Sequence, residues 1–396
     1  MESKISRSLT YSTFLVLASI LFSGYVFARP LCRGGDNGYS SEFRTGVEVR
    51  VGAQRNAGFA TRECEATLRW KKETLTVAAD VDEIDLDVFG ANLELKGPPV
   101  AAFQIKKSSK DCCAIYKIYS LAQAPQLLRT IEGGISFSAT DKDLDGRIEI
   151  WVDDTARILG LDDLSSLEIG FPPMCVLRME HGQLMNVGSQ FWTYFDQTIA
   201  AVRAEMNSED LKAFKMSDGK VTYASIPDTN LFHKLRVAKV QVLEIVWAYL
   251  YSDREQEAWR ALHEMWPEGD TDRMQLALAN AHANGVMAQT DGTAREPFRR
   301  RKNAEIFDLS KVSRPQAISL WSSPFVSPVR EFSMYNRQLD LLIDAAGKVL
   351  SAKPARGQEW QDEDLLRAAT EWKFIPAVRA GRSVATHLRM PVWPKQ

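Results

Sequence analysis

The proline at position 376 constrains the end of this chain most tightly, because no helix can run through Trp372-Lys-Phe-Ile-Pro-Ala377. A preceding helix must stop there and give way to strand. Upstream, Leu339-Asp-Leu-Leu-Ile343 alternates as a strand, and Asp344-Ala-Ala-Gly347 supplies a turn whose glycine can take positive φ. Lys348-Val-Leu-Ser-Ala352 then returns, with Lys348 read as a surface residue. Asp362 or Asp364 can cap a short helix in which Leu365, Leu366 and Ala369 recur at three- and four-residue spacing. A last strand follows the Ala380-Gly381 turn, from about Val384 to Met390. Trp372 and Phe374 stand at alternate positions. Both are expected to pack on one face beneath the helix, where it meets the sheet.

These positions resemble the C-terminal domain of TonB-type proteins, whose pattern is a hairpin around D-x-x-G, a helix, W-x-F-x-P-A, then G-x-x-V and a strand. Here the pattern reads Asp344 to Gly347, Leu365 to Ala369, Trp372, Phe374, Pro376, Ala377, Gly381 and Val384. It covers residues 333–396. The resemblance implies a two-layer α/β sandwich that captures an extended segment of an envelope or outer-membrane protein by β-strand addition. Without it, the two aromatics are the core of a small α+β domain with the same element order.

A length of 396 residues suggests two to three domains, and 45% hydrophobic residues suffice for ordinary globular cores. The net charge of −2 offers no basic face for nucleic acid. Cys32, Cys64, Cys112, Cys113 and Cys175 show no C-x-x-C spacing and no metal-ligand rhythm, so zinc is not expected. In an oxidising compartment some can pair, with one left over. Lys4 and Arg7 precede an apolar run from Phe14 to Phe22 and a small-residue site at Val26-Phe-Ala28. That order makes residues 1–28 a signal peptide and the protein periplasmic or secreted. The competing reading is an uncleaved inner-membrane anchor over residues 11–28, which would place the chain on the membrane as a TonB-type energy transducer for transmembrane transport. Ser19, Ser23, Gly24 and Tyr25 weaken the far end of that span and favour cleavage. The span also lacks the histidine that TonB anchors usually carry.

Residues 29–187 read as a mainly antiparallel β module, with strands at Val47–Val51, Leu75–Val77, Ala101–Ile105, Ile115–Tyr119, Ile135–Phe137 and Ile148–Val152. Alternation in several of these predicts sheets with one wet face. Within the module, Asp141-Lys-Asp-Leu-Asp-Gly-Arg-Ile-Glu149 places carboxylates at alternate positions before a glycine. Asp141, Asp143, Asp145 and Glu149 can converge as hard oxygen ligands, with the carbonyl of Arg147, and point to Ca²⁺. An EF-hand is excluded because its twelfth position would be Val152. The loop resembles those of FG-GAP or VCBS-type modules, with residues 115–131 supplying two strands of a blade. This chain carries one clean copy, since Asp80-Val-Asp-Glu-Ile-Asp-Leu-Asp87 is acidic but lacks the glycine. An Asp-Gly turn held by its own side chains accounts for the same residues without a metal.

From about Ser189 the period becomes helical, and residues 188–286 form a helical middle. Asp228 or Asn230, Ser252-Asp253 and Asp270 are the expected caps, and Trp247, Trp259 and Trp266 the expected core. Residues 287–332 have no periodicity and contain Arg299-Arg-Arg-Lys302, which makes them a linker. It is far shorter than the spacer of TonB proteins. His263-Glu264 does not begin H-E-x-x-H, since Pro267 stands at the second histidine position, and no nucleophile elbow or P-loop is present. The chain is therefore read as multidomain α+β and not as an enzyme: an exported adaptor.

Overall fold

The computed structural model describes residues 30–35, 38–53, 63–108, 112–294, 305–319, 337–358, 360 and 362–392. The expected signal segment, its anchor alternative and the basic cluster at 299–302 lie outside them. Mixed α+β structure with mostly antiparallel sheets is what the chain forms.

Nine strands come first: β1 (Cys32–Arg33), β2 (Gly38–Glu42), β3 (Val47–Ala53), β4 (Cys64–Trp70), β5 (Glu73–Val81), β6 (Glu83–Ala91), β7 (Val100–Lys106), β8 (Ala114–Ser120) and β9 (Gln126–Gly134). Strands β2 to β5 make one antiparallel sheet, and β1-β6-β7-β8-β9 a second. Val47, Val49, Val51, Ala66 and Leu68 of the first sheet pack against Leu86, Ala101, Phe103 and Ile105 of the second. A Cys32–Cys64 disulfide crosses this core, and Cys112–Cys113 closes a second bridge between neighbours. Cys175 is left free and buried.

Strands β10 (Ser136–Thr140), β11 (Glu149–Asp153), β12 (Met174–Glu180), β13 (Gln183–Asn186) and β14 (Gly292–Thr293) form a third sheet. It contributes to the core on the other side of the second sheet, where Val88, Val100, Ala102, Tyr116 and Ile118 join Phe137, Ala139, Ile150 and Val152. The wet face expected of these strands is absent from β6 and β7 of the second sheet, while β9 at its edge is largely exposed. Residues of both parities are buried in β6 and β7 because they lie between two apolar layers, so β7 reads as a nearly continuous apolar run. Strands β8 and β9 belong to the second sheet while β10 and β11 belong to the third, so residues 115–152 do not lie in one blade-like sheet.

Helices α1 (Trp192–Glu205), α2 (Ser208–Lys215), α3 (Thr229–Leu250), α4 (Glu255–Met265) and α5 (Thr271–Asn284) join the core containing the third sheet. Asp228 caps α3 by accepting from the amides of Asn230 (2.9 Å) and Leu231 (3.0 Å). Ser252 does not cap α4, and Asp270 stands at the N-cap of α5 without making a side-chain capping bond. Ser252 turns back onto the carbonyls of Ala248 and Tyr249, and Asp270 is held by Trp266 Nε1 (3.0 Å) and Arg273. Trp247 and Trp266 are buried, and Trp259 packs at the edge of the same core.

Glu244 of α3 is also buried, its Oε1 accepting from the amides of Gly170 (2.6 Å) and Phe171 (2.9 Å). Burial pushes its carboxyl up to about 7. Between the ordinary carboxyl range and that value the folded chain holds a proton that the unfolded chain has released. Stability must therefore fall as pH rises through this window, by up to about 1.4 kcal/mol per pH unit from this group. Glu244→Gln keeps an oxygen for both amides. Urea melts at pH 5 and pH 8 should show a flatter dependence in the variant; equal dependence would rule Glu244 out as the source.

At the C-terminus, β16 (Arg337–Ile343) lies between β17 (Val349–Pro354) and β21 (Thr386–Val392), with α6 (Glu363–Thr370) packed against the sheet. Asp362 caps α6 through the amide of Leu365 (3.0 Å). Trp372 and Phe374 sit in one core with Leu365, Ala369, Leu339 and Leu341. The expected last strand is β21, two residues downstream of its expected bounds, and ahead of it β19 (Ala377–Arg379) and β20 (Arg382–Val384) make a small hairpin around the Ala380-Gly381 turn.

This unit docks on the rest of the chain. The segment expected as linker supplies β15 (Gln316–Ser319), which pairs with β18 (Lys373–Ile375) and so occupies backbone groups that would otherwise be open. Ile318 enters the core of the first two sheets. Lys348 is not a surface residue: its side chain is 14% exposed and forms an ion pair with Asp87 of β6, while Lys373 pairs with Asp85. The alternating acidic run noted in the sequence thus serves as the counter-charge for two lysines of the C-terminal unit.

Candidate metal centre

The acidic loop joins β10 to β11, and Thr140 and Glu149 face each other where it closes. Within it Leu144 has φ 55° and Gly146 φ 80°, the curl that lets alternate side chains turn inward. Asp141 is fully buried; its Oδ1 accepts from the amide of Asp145 and its Oδ2 from that of Gly146, both at 3.0 Å. Asp145 accepts from the amide of Arg147 at 2.8 Å. One carboxylate oxygen from each of Asp141, Asp143 and Asp145 lies within 4.8 Å of the others. Burial, then the charges of Asp344, Asp143 and Asp145, push the Asp141 carboxyl up to about 8.

Of the four residues singled out in the sequence, the loop brings three together. Glu149 stands apart. Its Oε1 is taken by Arg178 Nε (3.0 Å) and Nη2 (2.6 Å), and Arg178 is itself buried. The other oxygen, Oε2, is buried with no hydrogen-bond partner, and Asp143 and Asp145 lie close enough to raise the Glu149 carboxyl further. The ammonium of Lys142 lies 3.6 Å from the ring centre of Trp151 and 4.9 Å from that of Tyr194. The three carboxylates that the turn gathers are hard oxygen donors of the kind that Ca²⁺ takes.

Sequence reasoning missed the residue behind the loop. Asp344, the aspartate of the C-terminal D-x-x-G turn, is buried against it, and its Oδ2 accepts from Thr140 Oγ1 (2.7 Å) and the amide of Asp141 (2.8 Å). The signal was present as the invitation to a turn at 344–347, but nothing in spacing links it to residue 141. Elsewhere, Cys175, Asp154 and Tyr251 meet in the core, with Tyr251 donating to Asp154 at 2.7 Å. Burial pushes the Cys175 thiol well up, which keeps it from acting as a thiolate nucleophile at neutral pH.

No family model, curated protein or solved structure matches this chain. The reading of the site therefore rests on its own chemistry. Among the described residues, no helix is long and apolar enough to cross a membrane.

Proposed function

We propose that the chain is an exported envelope adaptor whose TonB-like C-terminal unit captures an extended segment of an envelope or outer-membrane protein, with Ca²⁺ held in the acidic loop. The observation that carries the first half is the edge of β21. One side of this strand pairs with β16, whereas from His387 to Val392 the other side meets no strand among the described residues. Such an edge accepts an added strand. Pro391 within it suits an edge position, where a missing amide breaks no ladder. Two disulfides support an oxidising compartment. The largely enclosed Lys348–Asp87 and Lys373–Asp85 pairs favour an adaptor over a transducer, because a force-bearing arm must range freely from its base.

A photo-crosslinking residue at Arg389, whose exposed pair with Asp340 contributes little stability, tests the edge in the cell envelope. Adducts to one outer-membrane or envelope protein, at least tenfold above those from the exposed Met216 position, are expected. Equal labelling at both positions would exclude β21 as the docking edge. For the loop, Ca²⁺ binding to the folded state alone should add ~2.7 kcal/mol at a hundred times Kd. Asp143→Ala should abolish the rise in Tm. A Tm indifferent to millimolar Ca²⁺ and to chelator sinks the metal reading.

A further inference from the structure

We infer that Asp344 holds the acidic loop in its cation-binding shape, so that cation binding at residues 141–149 and docking of the C-terminal unit form one coupled equilibrium. The inference rests on the cation reading above and adds regulation to it.

The Asp344 carboxylate makes four hydrogen bonds, two on each side of the joint. Its Oδ1 accepts from the amides of Ala346 (2.9 Å) and Lys348 (2.8 Å), which shapes its own turn. Its Oδ2 accepts from Thr140 Oγ1 and the amide of Asp141, which sets the direction of the backbone where the loop begins. Asp141 passes this order on through the amides of Asp145 and Gly146. A continuous set of bonds therefore runs from the C-terminal hairpin to the far side of the loop. If the hairpin withdrew, Thr140 Oγ1 and the Asp141 amide would lose their acceptor, and the first ligand its tether.

The coupling also runs in reverse. Asp141 and Asp344 are both buried and meet at the joint, where the Asp344 carboxylate accepts from the Asp141 amide. The nearest lysine of the hairpin, Lys348, is shared with Asp87. A cation on Asp141, Asp143 and Asp145 would supply positive charge to this joint, and the Oε2 of Glu149, at the end of the same loop, is buried without a hydrogen-bond partner. Alanines 345 and 346 of the turn are buried in the core that contains the third sheet, so the hairpin cannot leave without exposing that core. By linkage, what strengthens docking must strengthen binding by the same factor.

The test uses the full chain and two readouts. Terbium(III), displaced by Ca²⁺ and excited through tryptophan, reports affinity at the loop. Hydrogen exchange of residues 337–358 and 372–377 reports docking. Ca²⁺ is expected to slow exchange in both segments at least tenfold while leaving β3 and β4 unchanged, and Asp344→Asn to weaken terbium binding at least tenfold. Because Asp344→Asn can unfold its own turn, Thr140→Val provides the second variant. It removes one bond on the loop side, leaves the hairpin sequence intact, and should weaken binding about threefold while reducing the Ca²⁺-dependent protection of 337–358. Unaltered affinity in both variants, or exchange indifferent to Ca²⁺ in a parent that binds terbium, overturns the coupling and leaves the cation site standing. No terbium binding by the parent overturns both.

Discussion

Replacing Arg178 by leucine is expected to destabilise the chain by about 3–5 kcal/mol, because it leaves the buried Glu149 carboxylate without its counter-charge. Both side chains are almost fully enclosed, and the guanidinium also donates to Glu180 (3.2 Å) and Gln190 (3.0 Å). Burial raises the Glu149 carboxyl, and the charge and hydrogen bonds of Arg178 are what lower it. Without the arginine the carboxyl must stay protonated to remain inside. The folded state then keeps a proton that the unfolded chain releases above the ordinary glutamate range, so the variant loses further stability as pH rises. Pairing Arg178→Leu with Glu149→Leu removes the stranded charge and should recover much of the loss. Urea melts of the single and double variants decide this. A single variant within about 1 kcal/mol of the parent would mean that the pair is not enclosed as described.

Phe374→Ala should cost a comparable ~3–5 kcal/mol through lost burial and a cavity, but its effect should be confined. The core of the C-terminal unit is small, ten buried residues including Trp372 and Phe374 among those described, and small cores have little stability to lose. In the full chain the expected outcome is a separate, earlier transition: fast exchange over 337–392 while the first three sheets keep their protection. A single cooperative transition shifted by a few degrees would show that docking carries the unit without its core. Lys348→Ala is not a neutral control here, since it strands Asp87. Lys353→Ala, exposed at the end of β17, takes that role.

Runs of β-branched and aromatic residues located β3, β7, β8 and β11, and a 3.6-residue spacing located α1 and α3. Alternation misjudged β6 and β7 of the second sheet, since it reports one covered face and cannot anticipate a second apolar layer over the other. The acidic run at 80–87 was visible, yet its meaning was not. Asp87 and Lys348 lie 261 residues apart, and no local pattern connects them. Gly347 was legible for its positive φ; the structure adds that a Cβ there would lie 1.7 Å from the Phe374 carbonyl oxygen. Three of the four loop carboxylates could be read because a short turn gathers them. Glu149 was lost to a partner on β12, and Asp344 gained from a hairpin two hundred residues downstream.

That separation has a consequence for how the chain is made. Synthesis delivers β6 and the acidic loop long before residues 344 to 373 emerge. Until then Asp85 and Asp87 lack their lysines, with Tyr116 (2.6 Å) and the Ala139 amide (2.8 Å) as the remaining partners of Asp87. Contacts so distant in sequence form late. A chain cut short before Lys348 therefore retains uncompensated carboxylates beside apolar layers, a state that invites water into the interior and exposes the fragment to proteases. Only a chain that extends through Lys373 carries both lysines that neutralise Asp85 and Asp87.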